Sequence, residues 1–135
     1  MNNKKEYTPK QILALAAAIQ EEEAAIDWLS LNRHELYLIY RTIVLSNSAS
    51  CEELKASGFS VEYMFAIAFQ EDFQTSIDYF IRNEELVWAA VVDACRDNLS
   101  AMEWLEKKHP PYKVLAESIL NFYKWRRTRR GRAAI

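Results

Sequence analysis

Four acids recur at nearly even intervals along the chain, Asp27, Glu52, Asp78 and Glu103. Carboxylates repeated on one face could bind a metal ion or do acid–base work. Successive helical units, however, pack about 10 Å apart, too far for two of these carboxylates to share one ion. They are expected to form a solvated helix face, and no metal or cofactor is implied. His34 in "NRHEL" and His109 in "KKHPPY" are the only histidines, and each stands beside a helix start. They read as ordinary exposed or capping residues rather than as general bases. Cys51 and Cys95 lie far apart with no metal-ligand spacing and fall on apolar helical faces, which points to free, buried thiols. Gly-rich phosphate loops, Gly-x-Ser-x-Gly elbows, zinc-spaced Cys or His pairs and calcium loops are missing from the sequence. No catalytic residue is expected, and the chain reads as a non-enzyme.

The strongest remaining local feature is cationic. "YKWRRTRRGR" interleaves Tyr123 and Trp125 with Lys124, Arg126, Arg127, Arg129, Arg130 and Arg132. Arginine grips phosphates with two donors and stacks on bases, so Lys124, Trp125 and these arginines are candidates for holding nucleic acid. A solubilising C-terminus, or a run that folds against an acidic body, would need the same residues. Six of the 17 Lys and Arg lie in residues 124–135, which hold no acid; residues 1–123 therefore carry 11 cations against 19 anions, a net charge of −8. The sequence divides into an acidic body, 1–123, and a basic tail, 124–135.

The elements that position these residues follow from a repeat. A period near 25 residues aligns Ile26, Cys51, Ile77 and Met102 as apolar anchors. A small residue precedes each anchor, Ala25, Ser50, Ser76 and Ala101, and one of the four recurring acids follows it. The next column is Trp28, Glu53, Tyr79 and Trp104; the one after is Leu29, Leu54, Phe80 and Leu105. Upstream, apolar residues stand eight, eleven, twelve and fourteen positions before each anchor, one face of a helix. Five before it come Glu21, Ser46, Asp72 and Asp97, polar residues suited to a turn.

Each unit is thus a longer helix, a polar turn and a shorter helix. "TPKQ" at 8–11, "NRHE" at 32–35, "SCEE" at 50–53 and "SAME" at 100–103 offer N-caps with an acid or amide three residues on. Nine helices are predicted, over 9–20, 22–31, 33–45, 50–57, 61–71, 73–82, 84–96, 99–108 and 111–127. Helices this short are marginal singly and must stack on neighbours. The expected fold is all-α: a short α-solenoid of about four helix-turn-helix repeats with a further C-terminal helix. The aromatic column should supply much of the buried area, and Trp104→Ala is expected to cost about 3–5 kcal/mol.

"ACRDNLSAMEWL", residues 94–105, resembles the second half of an ankyrin repeat, in which an Ala closes one helix, a tight turn follows and an apolar pair leads on. "AIQEEEAAIDWL", 18–29, has the same spacing. The family's Gly turn is replaced by Glu21, Ser46, Asp72 and Asp97, its Thr-Pro-Leu-His opening is absent, and the shorter period leaves no room for its β-hairpin finger. The resemblance implies a hairpin-less, ankyrin-like array that binds protein.

The expected function is therefore a protein–protein interaction module, with the longer helices forming a concave face that includes Arg33, Tyr37, Arg41, Glu62, Glu84 and Glu85. The alternative is a nucleic-acid-binding accessory protein that uses the tail. Pairing of two chains through terminal apolar faces is a third arrangement. No apolar run approaches the roughly 20 residues that cross a bilayer, so a soluble, cytoplasmic protein without a membrane partner is expected.

Overall fold

Residues 6–133 are described in backbone and 6–125 in side chains by a computed structural model, and these contain nine α-helices and no strand. The helices are α1 (Pro9–Ile19), α2 (Glu23–Asn32), α3 (His34–Val44), α4 (Ser48–Ala56), α5 (Ser60–Ala68), α6 (Phe73–Arg82), α7 (Leu86–Ala94), α8 (Leu99–Lys108) and α9 (Pro110–Ala133). The count matches the expectation, while most boundaries move by a few residues. α9 continues through Tyr123 and Lys124 without a break.

Local chemistry explains the starts. Thr8 and Gln11 form the expected capping box of α1: Gln11 N donates to Thr8 Oγ1 at 3.2 Å and Thr8 N donates to Gln11 Oε1 at 2.9 Å. The other three expected caps are corrected. Asn47, not Ser50, caps α4 by accepting from Ser50 N at 3.0 Å, and Asn98, not Ser100, caps α8 by accepting from Ala101 N at 3.2 Å. Arg33 stands at the N-cap of α3 without a side-chain cap, and Asn32 instead donates to Trp28 O at 2.9 Å and closes α2. In α4 and α8 the serine is already inside the first turn, and the stronger cap-former upstream takes its role.

The turn column is also local in origin. Glu21, Ser46 and Asp97 have φ of 66°, 52° and 65°, the left-handed conformation that ends a helix. At Glu21 the backbone completes a Schellman motif, in which Glu22 N donates to Ala17 O at 3.1 Å and Glu21 N to Ala18 O at 2.8 Å. Asp72 differs, with φ −157°, and caps α6 by accepting from Gln74 N at 3.0 Å. Short turns make neighbouring helices antiparallel.

Burial follows the columns unequally. Leu29, Leu54, Phe80 and Leu105 are completely buried, and each contributes about 1.5–3 kcal/mol of transfer free energy. Cys51 and Ile77 are buried, whereas Ile26 and Met102 pack half-buried against the core. The aromatic column disagrees with the expectation: Trp28 and Tyr79 are half-buried, and Trp104 is 37% exposed. The dominant aromatic of the core is Trp88, from the upstream helix face. Its ring meets Phe65 at 4.8 Å, Tyr112 at 5.4 Å and Tyr7 at 6.2 Å between centroids, all edge-on.

Contacts between helices run along the chain and then return. α1 touches α2 and α3, α3 touches α4 and α5, α5 touches α6 and α7, and α7 touches α8 and α9. α9 also packs along α1. The odd-numbered helices share one core that draws on Ile12, Leu15, Ile39, Phe65, Val91 and Leu115; they are not consistently the longer of each pair, since α5 and α7 have 9 residues against 10 in α6 and α8.

Candidate interaction surface

The two ends of this arrangement are built from different chemistry. At the end where the odd-numbered helices begin, Tyr7 precedes the Thr8 cap and is buried. Its hydroxyl contacts Glu62 Oε2 and lies 3.1 Å from Glu35 Oε2, linking the segment before α1 to α5 and α3. Burial, and then the Glu62 carboxylate, push its phenol far above the usual tyrosine range. Ile12 stands four positions past the cap, so Tyr7–Thr8–Ile12 has the spacing of a hydrophobic staple. That spacing is the sequence signal from which the Tyr7 contact could have been found.

The opposite end is grooved. Ile19, Val44, Phe122 and Trp125, with Gln20 and Glu21 at the margin, line a depression of about 670 Å³ where α1 and α3 finish beside α9. Gln20 Nε2 donates to Ser118 Oγ at 2.8 Å and joins the end of α1 to α9. A second depression, of about 580 Å³, lies where α3 and α5 finish and includes Thr42, Glu71 and Tyr123. Tyr123 stacks on Phe69 at 6.1 Å between centroids. Exposed acids line both depressions, Glu21 in the first and Glu52 and Glu71 in the second, and Glu22, Asp72 and Asp97 are exposed in the turns that follow α1, α5 and α7. Thr75 Oγ1, donating at 2.6 Å, and Gln74 N hold the Asp72 carboxyl below the usual range, so it stays charged. Arg96 answers part of this charge by donating to Asp93 Oδ1 at 2.7 Å and to Gln74 Oε1 at 3.1 Å.

The residues expected on a concave face are not gathered on one open surface. Glu62 is buried beneath Tyr7. Arg41 donates from Nη1 to Tyr37 Oη and from Nε to Ser50 Oγ, both at 3.2 Å, and so ties α4 to α3. Arg33 is half-buried, with Nε enclosed and unpaired in hydrogen bonding. Glu84 is exposed in the α6–α7 turn at φ 57°, and Glu85 is half-buried before α7. The reasons are local: Tyr7 covers Glu62, and Arg41 is held by Tyr37 and by Ser50 of α4. Of the tail, Lys124 is exposed and Trp125 is 62% exposed beside the groove. The side chains of Arg126, Arg127, Arg129, Arg130 and Arg132 lie outside the described residues, although α9 includes these positions.

The acidic column behaves as a solvated face, with Asp27, Glu52, Asp78 and Glu103 all exposed. His34 sits on the surface 3.3 Å from Glu53 Oε2, and His109 packs between the rings of Trp104 and Tyr112. Cys51 is buried, while Cys95 is only half-buried, a correction to its expected burial; both are free. Among the described residues no three His, Cys, Asp or Glu side chains converge as metal ligands, and no helix is long and apolar enough to cross a membrane.

No family model, curated protein or solved structure matches this chain.

Proposed function

We propose that this protein is a non-enzymatic, cytoplasmic interaction module: a short array of about four ankyrin-like helix-turn-helix repeats, with a period near 25 residues, that α9 closes into a ring. Its partner is a protein segment received at the α1/α3/α9 end. The observation that carries this reading is the groove beside Trp125, where a large aromatic side chain stays mostly exposed next to Ile19 and Val44. An aromatic anchor with an apolar floor and a charged rim has the anatomy of a protein-binding surface.

The test is affinity capture from the native host with three versions of the chain. Wild type and Trp104→Ala, altered on a different surface, should retain the same specific partners, and Trp125→Ala should lose them. Equal recovery by all three would remove the groove from consideration.

One observation favours a second reading, binding of nucleic acid. α9 continues to Ala133, so the arginine run of the sequence belongs to this helix. In that case binding to an oligonucleotide should weaken steeply with salt, by about 0.7–0.9 in logarithmic slope per phosphate neutralised.

A further inference from the structure

We propose that Tyr7 is redox-active: a one-electron oxidant that meets Trp104 at the surface draws its electron from Tyr7, through the rings between them, while the Tyr7 proton passes to Glu62. The inference is independent of the α1/α3/α9 groove and of any partner received there.

The path consists of rings in sequence. Trp104 stands partly exposed on α8, and its ring lies 5.2 Å from His109 between centroids. His109 lies 6.2 Å from Tyr112, Tyr112 5.4 Å from Trp88, and Trp88 6.2 Å from Tyr7. Exposure falls along the row, from Trp104 at the surface, through half-buried His109 and Tyr112, to Trp88 and Tyr7 in the core. Indole and phenol rings give up an electron far more readily than other ring side chains do. A row of them lets the vacancy step inward instead of crossing the core in one jump. The His109 imidazole fills the space between two such rings and need not itself be oxidised. Phe65 also meets Trp88, at 4.8 Å, but a phenyl ring holds its electrons too tightly to divert the row.

The proton fixes where the row ends. A tyrosine loses an electron easily only where an acceptor stands ready for its hydroxyl proton. The Tyr7 hydroxyl donates to Glu62 Oε2, with Glu35 Oε2 3.1 Å away. Oxidation therefore sends one electron outward and moves one proton across a hydrogen bond that already exists. The oxidant, a diffusible radical of the azidyl or peroxyl class, becomes an anion. Tyr7 becomes a neutral phenoxyl radical and Glu62 a neutral carboxylic acid. The Tyr7–Glu62 pair thus begins with one buried anion and ends with none, so burial favours the oxidised pair. Trp28 provides the contrast, since Lys10 Nζ stands 5.2 Å from its ring centroid and opposes a positive vacancy there.

The experiment is pulse radiolysis of the full chain with azidyl radical, in which optical absorption separates indolyl from phenoxyl radicals. In wild type, part of the indolyl signal should convert to phenoxyl in a first-order step whose rate does not depend on protein concentration and falls in heavy water. Tyr7→Phe and Glu62→Gln, checked for native helicity, should each lose this conversion. Trp104→Ala, which removes a peripheral ring and should leave the fold intact, should reduce its yield, while Trp28→Phe should leave it unchanged. A wild type without the conversion, or with a rate indifferent to heavy water, overturns the proposal. So does conversion at the wild-type rate and yield in folded Tyr7→Phe, in folded Glu62→Gln or in Trp104→Ala.

Discussion

The two ends of the helix array solve opposite problems with similar residues. Where the odd-numbered helices begin, aromatic and acidic groups turn inward: Tyr7, Trp88 and Tyr112 meet edge-on, and Glu35 and Glu62 lie buried against the Tyr7 hydroxyl. Where those helices finish, the same classes of residue turn outward, with Trp125 mostly exposed and six acids in solvent. One end is sealed by the segment before α1; the other carries grooves beside α9. An aromatic or acidic residue therefore says little about its role until the element covering it is known. A sealed end puts such residues into stability, and an open one leaves them available for binding.

The largest effect should come from the sealed end. Trp88→Ala is expected to cost about 3–5 kcal/mol in a denaturant titration, since it removes the ring on which Tyr7, Phe65 and Tyr112 pack. Trp104→Ala, on a 37% exposed ring, should cost under about 1 kcal/mol. Equal losses at the two tryptophans would erase the contrast between a sealed core and a peripheral column.

Tyr7→Phe should come next, at about 1–3 kcal/mol, because it leaves two buried carboxylates without the hydroxyl they share. The pH dependence sharpens this prediction. The folded state holds the Tyr7 proton more tightly than the unfolded chain does, so its contribution is complete below about pH 10 and is lost as the pH rises further. Cys51, raised by burial from 9.0 to about 11, acts with the same sign in a lower window, between those two values. Stability should accordingly fall above about pH 9 in wild type. Cys51→Ala should flatten the first part of that fall and Tyr7→Phe the later part, as measured by denaturation midpoints across the alkaline range.

The smallest effect belongs to the open end. Glu21 holds φ at 66°, a conformation glycine reaches without strain, so Glu21→Gly should stabilise the chain by about 0.5–1 kcal/mol. The same substitution at Asp72, where φ is −157°, should bring no such gain. Thermal melts of the two variants side by side distinguish relief of turn strain from a general change in surface charge.

Much of the local design was legible in the sequence. Apolar spacing gave nine helices and an all-α chain, the "TPKQ" motif gave the capping box at α1, and the polar column marked the breaks at Glu21, Ser46, Asp72 and Asp97, though not that three of the four are left-handed. The caps of α4 and α8 were misplaced by two or three residues, because Asn47 and Ser50, like Asn98 and Ser100, are all chemically competent and only the path of the backbone chooses between them. The residues chosen for a binding face meet different surroundings. Arg33, Tyr37, Arg41, Glu62, Glu84 and Glu85 were chosen for an open hollow, yet Arg41 and Tyr37 brace α3 to α4, and Glu62 is sealed under Tyr7.

Periodicity along a chain determines which side of each helix must leave water, and the sequence alone was sufficient for that because the information sits within a few residues of each position. Which neighbour covers that side is a sum over the whole molecule. Here it brings α9 against α1, about a hundred residues earlier, as the Gln20–Ser118 hydrogen bond records. No short window of sequence contains that sum, so the sealing of one end and the opening of the other were decided only in the tertiary structure.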